Sequence, residues 1–258
     1  MAKTLAQWIT DNGGEIIYRQ EVKRISTSNG RAQSVTTKKG MEVIGENIIA
    51  NVTPWALKNL LGNGTAAAVD KDLKKREPTW GAFTLYLGLD AGKLPADITS
   101  HHQVIMNGER PLGEGNSVFI SLADEDDRSR APEGKRPATL STHTAIEPWW
   151  DIYHQDRQAY LQRRETYVQK MLAAAERAIP GIQRAIELCL PGTPLTFEFY
   201  TRRPQGMVGG FPQTSLFAAR GPQTGVSNLW LVGDSVFPGQ STAGVTLGAM
   251  RVANLVLN

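Results

Sequence analysis

The sequence has 258 residues, of which 41% are hydrophobic and 21% charged, a composition typical of a globular protein with a sizeable core. Its net charge of +3 comes from scattered Lys and Arg residues, so nucleic acid is not expected as a partner. The single cysteine, Cys189, excludes an internal disulfide and fits a reducing compartment. No uncharged run approaches the ~20 residues of a membrane-spanning helix. We therefore expect a cytoplasmic protein that is soluble or peripherally attached to a membrane.

The first fifty residues predict a helix followed by short strands. Residues 2–12 have apolar side chains on one helical face, and Gly13-Gly14 can end that helix. Asn29-Gly30 predicts a tight hairpin between two strands. The predicted strands are residues 15–18, 22–26, 32–37, 41–44 and 48–51. The last of them is apolar with polar ends, which is typical of a buried parallel strand.

The middle of the chain predicts a separate group of helices and strands. Thr53 is expected to cap a helix over 54–61 that has Pro54 at its first position. A charged, solvated helix is expected over 70–77, and the longest helix over 156–179. The predicted strands are residues 82–89, 103–106, 117–123, 138–143 and 195–200.

The tail carries the clearest pattern for a ligand site. Residues 228–232 form an apolar strand, Gly233-Asp234-Ser235 follows at its carboxyl end, and residues 238–245 open a helix of small residues. Unbonded backbone N–H groups and the helix dipole favour an electron-rich ligand at such a helix start. Asp234 can accept hydrogen bonds from sugar-type hydroxyls, and the glycines allow close backbone approach.

The segment 231–245 resembles the C-terminal flavin-binding motif of the phytoene desaturase and carotenoid isomerase family. The opening of the chain agrees: residues 5–25 resemble the family's second FAD-domain block, and residues 48–55 the strand that returns to the cofactor. Residues 193–210 are similar to the stretch before the family's last FAD segment. Further likenesses, to the C-3′,4′ carotenoid desaturase branch, lie in residues 117–123 and 140–144.

Family members begin with a strand, a G-x-G-x-x-G turn and a helix that hold the ADP half of FAD. This sequence contains no such unit. We therefore expect a C-terminal fragment, or one half of a split protein whose N-terminal half is a separate partner.

The resemblance implies an α/β fold with α+β character and FAD as the cofactor. Residues 1–54 and 206–258 would form part of a Rossmann-like FAD domain with a β-meander, and residues 55–205 a substrate domain of antiparallel sheet and helices. The implied activity is desaturation, with hydride transfer from a CH–CH bond of a lipophilic carotenoid to the flavin at a membrane surface. Residues 206–210 would lie near the substrate.

Cofactor contacts also follow from the resemblance. Val22 would contact the adenine through its backbone, Asp234 would bind the ribityl chain, and Gly233 would be a further cofactor-binding residue. The residues expected under the pyrimidine edge of the flavin are Thr242, Ala243, Gly244 and Val245. No catalytic acid or base and no metal ligand is identified.

Two other functions remain open: an isomerase that uses reduced flavin without net oxidation, and a non-catalytic chain that binds lipid or a partner. Smaller motifs favour ordinary structural roles. Gly62-x-Gly64-x-x-Ala67 follows a helix rather than a strand, and the Ser241 segment has one residue too many for a hydrolase turn. His143 is expected in the interior, and the acidic residues 124–127 in a solvated loop.

Overall fold

The computed structural model describes residues 2–62, 66–74, 76, 80–212, 217 and 219–257. The chain forms two compact units, one of residues 1–76 with 210–258 and one of residues 77–209. The predicted α/β class with an antiparallel sheet is confirmed. Two stretches differ from the predicted boundaries. Residues 55–76 belong to the first unit, where Leu57, Leu61 and Val69 are buried in the core, and residues 206–209 belong to the second.

The first unit combines a β-meander with a parallel strand pair. Its helices are α1 (Ala2–Asp11), α2 (Pro54–Leu61), α3 (Ala67–Leu73) and α8 (Thr242–Leu257). Its strands are β1 (Val22–Ser28), β2 (Arg31–Thr37), β3 (Glu42–Ile44), β4 (Ile48–Ala50) and β10 (Leu229–Leu231). Strands β1, β2 and β3 form an antiparallel sheet, and β4 pairs in parallel with β10, as the apolar run at 48–51 predicted.

Local signals of the sequence explain these elements. Asn29 and Gly30 have φ of 50° and 72°, the left-handed pair that a two-residue hairpin requires. The Thr53 hydroxyl accepts a hydrogen bond from the Ala56 N–H at 3.2 Å and so caps α2. Buried Asn228 joins the two sheets: its amide group donates to the carbonyls of Ala32 and Glu46.

Two strand predictions are wrong. Residues 15–17 have no regular structure, since none of the described strands pairs with them and a strand is stable only within a sheet. Residues 195–200 lie in helix α7 (Pro194–Thr201). Thr193 and Thr196 form a capping box there with Pro194 at the first helical position, so the helix-start chemistry outweighs the alternating pattern.

The second unit is a five-stranded antiparallel sheet with helices on one face. Its strands, in spatial order, are β6 (His101–Ile105), β7 (Ser117–Leu122), β8 (Lys135–Ala145), β5 (Trp80–Asp90) and β9 (Ile186–Gly192). Its helices are α4 (Glu147–Gln155), α5 (Arg157–Ala178), α6 (Ile182–Ala185) and α7. The prediction missed α4, α6 and β9. In the described residues no helix is both long and apolar enough to cross a membrane.

The two faces of this sheet have opposite characters because side chains alternate along each strand. One face packs against α5 and carries buried side chains such as Phe83, Leu85 and Ile120. The other face is open, although it carries large apolar side chains. Those at least 41% exposed are Trp80, Tyr86, Ile105, Phe119, Leu188 and Leu190. An open apolar face of this kind marks a binding surface.

Candidate functional site: a glycine-lined loop and an open sheet face

The predicted ligand loop of the first unit starts where β4 and β10 end. The Val232 N–H donates to the Ala50 carbonyl at 3.0 Å, which aligns the two carboxyl ends. Gly233 then turns with φ of 98°, and a Cβ there would lie 2.3 Å from Asn51 Oδ1. Only glycine fits this position, and the turn it makes places Asp234 at the edge of the parallel pair.

Asp234 is held by contacts of its backbone and of its neighbour. A Cβ on Gly210 would lie 2.0 Å from the Asp234 carbonyl oxygen, so the two backbones are in direct contact. The buried Ser235 hydroxyl accepts from the Phe211 N–H at 3.2 Å and lies 3.5 Å from Asp234 Oδ1. These contacts leave the partly exposed carboxylate at the rim of the loop. The sequence analysis did not assign a role to Ser235.

The loop returns to the start of α8 through a close contact between two glycines, Gly239 and Gly244. A Cβ on Gly244 would lie 2.3 Å from the Gly239 carbonyl oxygen, and a Cβ on Gly239 would lie 3.4 Å from that of Asp234. The structure therefore brings Gly233, Asp234 and the first turn of α8 into one compact loop.

Ser241 caps α8 and decides which amides a ligand can reach. Its hydroxyl accepts from the Gly244 N–H at 2.9 Å, and its carbonyl accepts from the Val245 N–H at 2.8 Å. Within the described part of the chain, no acceptor is hydrogen-bonded to the N–H groups of Thr242 and Ala243, which are exposed. Of the four residues predicted beneath the ligand, Thr242 and Ala243 therefore keep available donors, whereas Gly244 and Val245 do not.

Replacing Ser241 by alanine is expected to lower the free energy of unfolding by about 1 kcal/mol, because the Gly244 N–H loses its acceptor. Thermal unfolding followed by circular dichroism measures this. Thr246→Ala is the matched control: the Thr246 hydroxyl bonds only back to the Thr242 carbonyl on the exposed helix surface, so its loss should be nearly neutral. Equal melting temperatures for the two variants would contradict the capping role.

Val22, the residue expected to contact the adenine, lies in the β-meander of the first unit. It begins β1, is partly exposed, and precedes a bulge in the β1–β2 register. The residues that follow it line an open groove of about 590 Å³ together with the end of α2. Gly64 of the loose dinucleotide motif lies outside the described residues.

A pocket of about 590 Å³ lies on the open sheet face of the second unit. We call it the sheet-face pocket. Its apolar side chains are Trp80, Ala82, Ile105, Leu112 and Phe119, and its polar ones are Gln103, Ser117, Ser141, Thr142 and His143. The His143 ring meets that of Trp80 edge-on at 6.4 Å. This pocket was not predicted from the sequence, although the alternation of side chains along the predicted strands places its residues on one sheet face.

The expectation of an interior His143 is wrong. Alternation along β8 buries Thr142 and Thr144 and turns the exposed His143 to the open face. In the described residues no group of three His, Cys, Asp or Glu residues could hold a metal ion. In the acidic stretch, Ser129 donates hydrogen bonds to the Asp127 carboxylate. These hydrogen bonds and the nearby Arg130 guanidinium lower the pKa of Asp127.

The sequence of this chain matches a family model from residue 1 to residue 257, that of the flavin containing amine oxidoreductases. The chain belongs to this family. The predicted resemblance to carotenoid desaturases and isomerases is confirmed by its relatives. Prolycopene isomerase of Daucus carota is 32% identical over 99% of the chain and 42% of its own length. Phytoene desaturase (neurosporene-forming) of Rhodobacter capsulatus is 26% identical over 99% of the chain and 52% of its own length.

Solved structures agree on the fold of the flavin containing amine oxidoreductases. An oxidoreductase from Methanosarcina mazei matches with a TM-score of 0.68 and 20% identity, over 98% of this chain and 53% of that one. A putrescine oxidase variant matches with a TM-score of 0.64 and 12% identity, over 100% of this chain and 53% of that one. The chain thus spans about half the length of the relatives it matches.

The glycine-lined loop fits the flavin part of FAD, the cofactor that the family supports. Glycines at 233, 239 and 244 let the loop backbone pack closely on itself, which holds Asp234 and the start of α8 in one compact loop. The Asp234 carboxylate can accept from ribityl hydroxyls. The N–H groups of Thr242 and Ala243 and the start of α8 can meet an electron-rich ring edge.

Proposed function

We propose that this chain is the part of an FAD-dependent carotenoid desaturase that binds the flavin ring and the substrate. The observation that carries the proposal is the loop after β10, where close backbone packing at three glycines brings Asp234 and the N–H groups of Thr242 and Ala243 into one compact loop. The family and the carotenoid enzymes among its relatives support the same function.

Each group of the loop has a separate task. FAD, when bound, would supply a two-electron acceptor for a hydride from an allylic carbon; the adjacent carbon would lose its proton to water, and an external acceptor such as a quinone would take the two electrons. Asp234 binds and orients the ribityl hydroxyls. The first turn of α8 favours negative charge at the ring edge through its dipole. These groups position the reactants and need no protein acid or base near them.

The sheet-face pocket is the proposed substrate surface of the second unit. Its aromatic and aliphatic side chains suit a long apolar polyene, from which they exclude water. A carotenoid is insoluble in water, so the proposal includes peripheral attachment to a membrane. The hydride transfer itself needs orientation rather than an acid–base pair, and the proton of the adjacent carbon leaves to water at the open mouth of the pocket.

The outer edge of β4 is the proposed docking place of the N-terminal half. Among the described strands β4 pairs only with β10, and the Ile49 side chain is 51% exposed. An unpaired edge of a parallel strand is a template for another strand. A strand–glycine turn–helix unit that pairs there would complete the sheet and supply the adenine-binding part of the site.

A visible absorption spectrum tests the proposal. The chain is purified alone and also co-expressed with the N-terminal half of the Rhodobacter capsulatus relative. We expect a flavin band in at least the second sample, at close to one flavin per chain. A correctly folded chain without a flavin band in either sample would contradict the proposal and favour a non-catalytic chain that binds lipid or a partner.

Isomerisation of a polyene is the second candidate. It is favoured by the 32% identity to the prolycopene isomerase of Daucus carota over 99% of the chain. The stoichiometry of the electron acceptor separates the two reactions. A desaturase consumes one two-electron acceptor for each double bond formed, whereas an isomerase consumes none. We expect acceptor consumption in step with product, measured with a quinone; turnover without it would establish the isomerase.

A further inference from the structure

Residues 111–116 of the second unit, which we call the wall loop, close one side of the sheet-face pocket. Leu112 and Gly113 of this loop line the pocket. A Cβ on Gly113 would lie 3.2 Å from the His143 carbonyl oxygen and 3.6 Å from the Trp80 ring. The position of the wall loop therefore sets the width of the pocket beside these two residues.

The backbone of the wall loop is left-handed at three consecutive residues. φ is 93° at Gly113, 52° at Glu114 and 80° at Gly115. Glycine adopts such values freely, but a glutamate does so only when its surroundings hold it there. A glycine at position 114 would relieve this strain. The presence of a glutamate in this unfavourable backbone conformation therefore indicates a role for its side chain.

The Glu114 carboxylate fastens the wall loop to the layer behind the pocket. Oε1 accepts from the Ala145 N–H at 2.7 Å, at the end of β8. Oε2 accepts from the Thr144 hydroxyl at 3.1 Å and from the Tyr167 hydroxyl on α5. The Arg163 guanidinium lies 3.9 Å from Oε2. One side chain thus joins the loop to both a strand and a helix.

The groups that hold Glu114 are themselves fixed. The Trp149 ring N–H donates to the Thr144 hydroxyl at 3.0 Å, and the Arg163 guanidinium lies over the Trp149 ring at 4.9 Å. The Lys170 ammonium lies 5.1 Å from the Tyr167 ring centre and 3.4 Å from the Glu114 carbonyl oxygen. The carboxylate is therefore anchored in a rigid aromatic and cationic cluster.

We propose that Glu114 is a positioning residue: it fixes the wall loop and so sets the width of the pocket for an elongated apolar ligand. It acts on the ligand through Leu112 and Gly113. The class of ligand rests on the proposed function. That Glu114 fixes the wall loop does not rest on the proposed function, because it follows from contacts inside the second unit.

Three variants of the full chain test the inference. Glu114→Gly removes the carboxylate and suits the left-handed backbone, so the substitution adds no backbone strain. Glu114→Gln keeps the size of the side chain and an oxygen that can accept from the Ala145 N–H. Glu109→Gln is the matched control, an exposed glutamate just before the wall loop.

Two measurements are made on each variant. Hydrogen exchange reports the opening of the amides of Gly113, Glu114 and Gly115, which donate to Ser117, His143 and Thr142. Quenching of tryptophan fluorescence by lycopene in detergent micelles reports the affinity of the pocket, and Trp80→Phe identifies the share of that signal due to the pocket.

Glu114→Gly is expected to speed exchange of the three amides at least about tenfold and to raise the Kd for lycopene about fivefold to tenfold. Glu114→Gln should raise the Kd less than about threefold, and Glu109→Gln should match the wild type. Protected amides in Glu114→Gly, or fast exchange with an unchanged Kd, would overturn the inference. If lycopene fails to quench the wild-type chain, the polyene substrate of the proposed function is contradicted, and the exchange rates alone uphold or overturn the fixing of the loop.

Discussion

Gly244→Ala is expected to remove flavin from the chain almost completely and to lower the free energy of unfolding by about 1–3 kcal/mol. The added methyl group would lie 2.3 Å from the Gly239 carbonyl oxygen and 3.2 Å from the Ser241 hydroxyl. Because a backbone carbonyl cannot yield as a flexible side chain does, the loop between β10 and α8 must move. The flavin content is read from the absorption spectrum in the presence of the N-terminal half, and stability from thermal unfolding.

Gly248→Ala is the matched control for this substitution. Gly248 is buried one helical turn further along α8, but a Cβ there would meet no atom of the described residues within 4 Å beyond the helix's own backbone and its chain neighbours. Alanine has a higher helix propensity than glycine, so this variant should be unchanged or stabilised by up to about 1 kcal/mol. Equal flavin content in the two variants would show that the contact between Gly239 and Gly244 does not shape the cofactor site.

Asp234→Ala is expected to weaken flavin binding by about 1–3 kcal/mol, because a ribityl hydroxyl loses its charged acceptor. Asp234→Asn keeps the shape and one accepting oxygen and should lose less. Since Gly210 and Gly239 both pack closely against the backbone carbonyl of residue 234, neither change should disturb the loop. Fluorescence titration with FAD measures the affinity, and unchanged binding in Asp234→Ala would remove this residue from the site.

Structural features that depend on residues close together in the chain were predicted correctly from the sequence. The Asn29-Gly30 hairpin, the Thr53 cap and the strand–loop–helix of residues 228–245 each follow from residue types at fixed offsets. The candidate loop of residues 233–245 was predicted for the same reason, since its glycines, its aspartate and its helix start are adjacent in the chain.

The errors arose where distant partners decide the structure. A strand at residues 15–18 would need a neighbouring strand to pair with. The exposure of His143 can be predicted only when it is known which face of the sheet the helices cover. At 195–200 the period of two was a coincidence that the Thr193 capping box outweighed. Glu114 contacts residues 144, 145 and 167, which are distant in the sequence, and no local sequence pattern predicts such contacts.

Asn228 has a consequence for how the first unit assembles. Its hydrogen bonds to Ala32 join residues 196 positions apart, and the whole second unit lies between them in the chain. Contacts of such long range form late, because the entropy of closing the intervening loop must be overcome first. During synthesis the Ala32 edge of the meander therefore lacks its Asn228 partner until residue 228 has emerged. A chain cut anywhere between 80 and 209 would keep these hydrogen bonds only if the two pieces stay associated.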